Sequence, residues 1–284
     1  MKQKKKATKK KTKRIKKIGK ITRLDELNWK QINDLDRETT VFFLPISPLE
    51  EHGPHLPVGT DLFIAEEATK EAIRRIKKSK TKISPILLPS LPIGHSNFAV
   101  DFPGTISVNA NALDDIIYDT VASLAKHGFR YLMICTYHMD PFYLKALYRG
   151  MKKAMSKYAI RIVEPTSSYF YQKEKEGDIH GGYEETSIMR YLYPYLLDSS
   201  YKSLPDVHLP PLSKRNFRKT FKELGAKDGY IGEPAKATID YGKKKFNELV
   251  ELYVKTAMDL KAGKSLPNLP RAIKWLPLVL QRRK

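Results

Sequence analysis

Apolar runs of strand length alternate with amphipathic helical stretches along most of the chain. TTVFFLPI (39–46) is continuously apolar with β-branched residues, the pattern of a strand buried on both faces. In LFIAEEATKEAIRRIKK (62–78), Ile64, Ala65, Ala68, Ala72 and Ile73 share one helical face, with mixed charges opposite. KISPILLPSLP (82–92) is a second strand closed by prolines. ALDDIIYDTVASLAKHG (112–128) is an amphipathic helix ending on Gly, and FRYLMICT (129–136) is again a buried strand. A helix over 143–158 and a strand over 159–165 follow, then helices over 184–197 and 238–263. Strands separated by helices of this length predict βαβ units: an α/β fold, a three-layer α/β/α sandwich around a mostly parallel sheet.

No repeat or interdomain linker breaks this order. The expected organisation is a Lys-rich tail over 1–20, one domain over 21–265 and a C-terminal extension over 266–284. His208 to Arg218 reads as a long surface loop. No run approaches the roughly 20 apolar residues of a membrane span. The single cysteine, Cys135, excludes an internal disulfide. It points to a reducing compartment, so cytoplasmic localisation is expected. Its apolar surroundings read as a buried small hydrophobe rather than a nucleophile.

The net charge of +21 brings nucleic acid to mind, but its distribution changes the picture. Residues 1–20 hold twelve Lys or Arg and no acid; the remaining chain has 40 basic against 31 acidic residues. That tail lacks the apolar core of a secretory signal and the apolar surface needed for folding. It reads either as a solubilising extension or as an electrostatic hold on nucleic acid or an anionic surface.

Candidate chemistry concentrates where strands end, as ligand sites in open α/β sheets do. PLEEHGPHLPVGTD (48–61) carries Glu50, His52 and Asp61 directly after the first strand. Asp61 alone reads as a helix-start acid. With Glu50 and His52 the set supports either a shared metal site or separate local roles. TYHMDP (136–141) brings His138 and Asp140 after another strand, and DIHGGYEETS (178–187) adds His180, Glu184 and Glu185. Oxygen and nitrogen donors without thiolate fit Zn²⁺, Mn²⁺ or Fe²⁺, and so many carboxylates suit two ions. His55 reads as an orienting partner in the same loop, His95 as a pocket or turn residue, and His127 as a helix-end cation; Glu184 reads as a favourable partner of a helix start.

Together these segments resemble the creatininase family. LPISPLEEHGPHLPVGTD matches its metal signature and DFPGTISV (101–108) its Phe-Pro-Gly-Thr segment. HGGYEETSIMRYLYP (180–194) matches its His-small-Gly-x-x-Glu-Thr-Ser helix start, and GYIGEPAKATIDYG (229–242) its late Gly-acid-Pro segment. The resemblance implies a metal-dependent amidohydrolase that opens an amide, lactam or formamide C–N bond of a small molecule, usually as a homo-oligomer, often a hexamer. It implies Glu50, His52, Asp61, His138 and Asp140 as metal ligands, with Asp61 bridging two ions. It implies His180 as proton carrier and Glu185 as a further ligand or an orienting partner. The chain departs from the pattern at TYHMDP, which lacks the flanking Asn residues and Gly pair, and at Tyr183, where many members have an acid. Trp29 and Trp275 lie outside the motifs, so creatinine is not the expected substrate. The competing expectation is a nucleic-acid-associated protein that works through the basic tail and keeps a degenerate metal site.

Overall fold

The computed structural model describes residues 21–171, 178–209, 216 and 218–274. The run TVFFLP forms β1 (Thr40–Pro45), buried along its whole length. Beside it lie β2 (Ser84–Leu87), β3 (Tyr131–Cys135) and β4 (Arg161–Val163), in the order β2-β1-β3-β4. Every pairing is parallel, with Phe42 and Phe43 opposite Ile86 and Leu87 on one side and Leu132 and Met133 on the other. The two-residue period divides each strand between two cores. Val41, Phe43, Met133 and Cys135 face one layer; Phe42, Leu44, Leu132 and Ile134 face the other.

Five helices of ten or more residues make the outer layers among the described residues: α1 (Thr60–Lys78), α2 (Ala110–Ala125), α3 (Pro141–Met155), α4 (Tyr183–Leu192) and α5 (Ile239–Lys261). The apolar face read for α1 is fully buried and packs with Ile188 of α4 and Leu249 and Tyr253 of α5. Leu113 and Ile117 of α2 meet Leu144 and Leu147 of α3 on the other face of the sheet. Gly150 permits that approach, since a Cβ there would stand 2.5 Å from Asp114 O.

Several ends differ from expectation for local reasons. β2 is four residues rather than eleven, because Pro89 and Pro92 cannot donate to a ladder; Pro85 is tolerated within it because β2 is an edge strand. α3 starts at Pro141, with Asp140 accepting from Phe142 N–H and Tyr143 N–H, the pairing of an N-cap acid with proline at the first helical position. α4 stops at Leu192 because Pro194 cannot continue it; a 3₁₀ turn follows. The extension expected from residue 266 begins as packed structure, since Leu269 and Ile273 rest on the α2–α3 core. The Lys-rich tail, residues 275–284 and most of the expected 208–218 loop lie outside the described residues. No helix among the described residues is long and apolar enough to cross a membrane.

Strand order places the site. The β1–β2 crossover runs through α1 on one face, and the β2–β3 crossover through α2 on the other. The connections therefore diverge between β1 and β3, opening a crevice at their carboxyl ends. Residues 46–59 and 136–140 enter that crevice from adjacent strands.

Candidate metal centre

Glu50, His52, Asp61 and His138 are 5% exposed or less, although the two carboxylates are of a kind found mainly at surfaces. His52 leaves the β1 loop with its Nδ1–H donating to Glu50 O at 2.8 Å. A carbonyl can only accept, so Nε2 is the ring atom left for the centre. It stands 3.4 Å from Asp61 Oδ1 and 3.8 Å from Glu185 Oε2. His138 is fixed the opposite way round: Nε2–H donates to His95 O at 3.0 Å. Its Nδ1 meets Glu50 Oε2 at 2.8 Å and Asp61 Oδ2 at 3.1 Å. Backbone carbonyls thus hold both imidazole orientations, as they do around metal-binding histidines.

Two of these carboxylates are anchored by donors of their own. Ser96 Oγ donates to Glu50 Oε1 at 2.6 Å, and Gly181 N–H donates to Glu185 Oε2 at 2.6 Å. Asp61 is the second residue of α1, whose positive end favours an acid. Glu50 Oε2, His52 Nε2 and Asp61 Oδ1 are buried without a hydrogen bond.

The electrostatics are those of carboxylates and imidazoles that hold one another in their charged forms. Burial raises the Glu50 carboxyl, but His138, His180 and His52 outweigh it and hold the group at about 2. Burial likewise opposes ionisation of Asp61, yet His52 and His138 keep it well below the usual carboxylate range. Burial lowers His52, whereas Asp61, Glu185 and Glu50 bring it up to about 10. His138 is held well above its ordinary value, against burial, by Glu50 and Asp61. Protons on the two imidazoles thus supply positive charge among the carboxylates.

A divalent metal fits this donor set. Glu50, Asp61 and His138 form one group whose donor atoms all lie within 4.8 Å of one another; His52, Asp61 and Glu185 form a second, and Glu50, His52 and His180 a third. Ligands held at about 2.1 Å from one ion stand at most about 4.2 Å apart. Shifts of well under an ångström would therefore close each group. Asp61 is common to the first two.

Asp140 is not in any such group among the described residues. Its Oδ1 is taken by Phe142 N–H at 2.6 Å and Tyr143 N–H at 3.0 Å, while Oδ2 makes no hydrogen bond. Burial raises its pKa, although His95 and His138 pull the other way.

His180 lies beside the cluster, its ring 4.2 Å from that of His52. Its Nε2–H donates to Glu51 O at 2.5 Å, with Glu51 Oε1 3.7 Å away. Burial and His52 lower its pKa, but Glu50 and Glu51 more than compensate and it is raised. Glu184 turns from the cluster: it accepts from Tyr137 OH at 2.8 Å and Tyr241 OH at 3.2 Å, and pairs with Lys245 at 3.4 Å. His55 ties the β1 loop to α4, its Nε2 and Thr186 Oγ1 2.8 Å apart.

The remaining candidates stand apart. Burial pushes the Cys135 thiol up, as suits a core residue. His127 is exposed, at the end of α2. Asp206, His208 and Glu233 form a largely exposed donor group, and Lys236 already pairs with its two acids, 3.1 Å from Asp206 and 2.9 Å from Glu233. Three contributors escape local reading: Ser96 and Glu51, which hold Glu50 and His180, and Phe221, whose ring lies 4.8 Å from that of His180. They meet these partners only through the tertiary fold.

The cluster floors a cleft of about 340 Å³. Glu50, Asp61, His138, His180 and Glu185 line its floor; Phe98, Phe170 and Phe221 stand in its walls.

A family model described as creatininase, creatinine amidohydrolase, matches residues 25–257. A mycofactocin precursor peptide peptidase from Mycobacterium ulcerans is 26% identical over 234 residues, covering 80% of this chain and 88% of the relative. A creatinine amidohydrolase from Pseudomonas putida is 28% identical over 205 residues, covering 64% and 75%. A 3-dehydro-scyllo-inosose hydrolase from Thermotoga maritima is 22% identical over 272 residues, covering 87% and 86%. The solved structure titled "Creatininase Mn" aligns with a TM-score of 0.68 at 24% identity, over 83% of this chain and 97% of its own.

Proposed function

The chain belongs to the creatininase family, and from that premise we propose that it is a metal-dependent amidohydrolase acting on an amide, lactam or formamide C–N bond. One observation carries this reading: Asp61, on the floor of one cleft, is shared by two groups of three donors. In the proposal Glu50, Asp61 and His138 hold one divalent ion and His52, Asp61 and Glu185 a second. Glu185 takes the fifth place because its carboxylate gathers with His52 and Asp61 in one three-donor group, whereas Asp140 joins none among the described residues. Zinc, manganese and iron all suit the nitrogen and oxygen donors. Such ions supply Lewis acidity, which brings the pKa of water toward neutrality and polarises a carbonyl oxygen.

The chain's own residues do the rest. Glu50, Asp61 and Glu185 provide the negative charge that balances the ions. Ser96 and the carbonyls of Glu50 and His95 keep the ligands from rotating. His180, with Nε2–H committed to Glu51 O, keeps Nδ1 as the ring atom that can take a proton and return it to a departing nitrogen. Burial of the floor excludes bulk water and strengthens each of these interactions.

Two of the relatives' names, a creatinine amidohydrolase and a peptide peptidase, support C–N cleavage without restricting it to non-peptide amides; the third, a 3-dehydro-scyllo-inosose hydrolase, is named for a nitrogen-free substrate and supports hydrolysis alone. A homo-oligomer belongs to the same proposal, on the family membership alone. Metal analysis of the purified protein, followed by a screen of lactams, formamides and short peptides, tests the reading. About two divalent ions per chain and hydrolysis of one such class are expected. A metal-loaded protein that cleaves none of them would refute it.

A further inference from the structure

Much of the cleft wall consists of side chains for which bond cleavage itself has no use. Phe98 and Phe221 stack with ring centroids 5.5 Å and planes 16° apart. The Phe221 N–H donates to Phe98 O at 2.6 Å, and Thr220 Oγ1 donates to Asp101 beside them, so two distant segments are fastened behind the pair. The wall reaches the proposed proton carrier through the contact of Phe221 with His180. Met139, Phe170, Tyr171 and Ile179 extend the apolar lining. Tyr171 and Ile179 are 41% and 54% exposed. Large apolar side chains left in water beside a concave site mark a surface that a ligand covers.

We infer that the substrate is a neutral amide bearing a phenyl-sized apolar group next to the scissile bond, selected by Phe98 and Phe221; the inference rests on the hydrolytic reading above. Volume sets the size. A cavity of about 150 Å³ accommodates benzene, so 340 Å³ holds one such ring together with the reacting amide. Chemistry sets the polarity. No lysine or arginine is among the described lining residues, so the aromatic wall beside the floor offers no fixed cation to an anionic substituent. Only an apolar group that displaces water from these six side chains gains from contact with them.

Benzamide and acetamide present the same reacting group with and without the ring. On the metal-loaded full-length protein, kcat/KM for benzamide should exceed that for acetamide about a hundredfold, the scale on which apolar pockets discriminate. Ile179→Asp, at an exposed position that does not threaten folding, and Phe221→Leu should each lower that ratio at least about tenfold. Equal values for the two amides, or a ratio unmoved by both substitutions, would overturn the inference while leaving hydrolysis intact. Should neither amide be cleaved, saturation-transfer NMR with benzamide decides. Ring contacts that weaken in Ile179→Asp support the pocket and count against hydrolysis alone; absence of benzamide binding removes the pocket.

Discussion

Replacing Asp61 with Asn tests the centre most directly, because this one side chain serves both halves. The change keeps the shape and removes the charge. Each three-donor group then falls to two full donors, Glu50 with His138 and His52 with Glu185. In the metal-free protein the one carboxylate left within 4 Å of His52 among the described residues is Glu185 at 3.8 Å, whereas His138 retains Glu50 at 2.8 Å. Removing one partner from a buried ion pair costs about 3–5 kcal/mol, so the variant starts from a lower melting temperature. The informative quantity is therefore the rise on adding metal, measured within each protein. At a hundredfold excess over Kd each ion contributes about 2.7 kcal/mol. Two ions give about 5 kcal/mol, or roughly 10–20 °C for a domain of this size. Asp61→Asn should bind fewer than about one ion per chain and show less than half that rise. Elemental analysis and differential scanning calorimetry read the two outcomes. A variant that retains both ions and the full rise refutes the bridging role.

Three further outcomes follow from the same geometry. His180→Gln should lower kcat by about 10²–10⁴ with metal content unchanged; loss of an ion would instead make His180 a ligand. Asp140→Ala should cost about 1–2 kcal/mol of stability as a lost helix cap and leave metal content intact, and loss of one ion would return Asp140 to the ligand set. His55 lies at about 4, lowered by burial and by His52. Its unfolded value is near 6.5, so between those two pH values the unfolded chain binds the extra proton and stability falls as pH falls. Chemical denaturation should show wild type losing about 2–3 kcal/mol more than His55→Gln between pH 6.5 and 4; parallel profiles would sink the assignment.

The layered fold was readable because its main segments are long and strongly patterned. In β1, apolar side chains on both faces announce a central strand. In α1, the stripe from Ile64 to Ile73 announces a buried face. Ends were less legible, since they depend on single residues: prolines shorten β2, and Asp140 with Pro141 starts α3 two residues before the expected helix. The ligand-bearing loops stood out because β1 and β3 each run straight into a dense patch of acids and imidazoles. The aromatic wall did not. Phe98 and Phe221 carry no local signal, and they meet only when residues 119 positions apart, Thr220 and Asp101, bond across the fold.

Spacing alone also could not choose between Asp140 and Glu185. Glu50 and His52, like His138 and Asp140, are separated by one residue, which suggests equivalent roles. Position in the secondary structure breaks the equivalence. Asp140 precedes Pro141, where a helix leaves its first amides unpaired, and its carboxylate turns back to satisfy two of them. That turn commits Oδ1 to the cap. Glu185 lies one residue further into its helix than Glu184. The step rotates the side chain about 100° around the axis, so Glu184 reaches Tyr137 and Lys245 while Glu185 reaches His52. Two adjacent glutamates thereby divide the labour, one bracing the wall and one facing the cluster of His52 and Asp61. Exchanging their functions would require turning α4 by nearly a third of a revolution, which Ile188 and Met189, fully buried in the core, forbid.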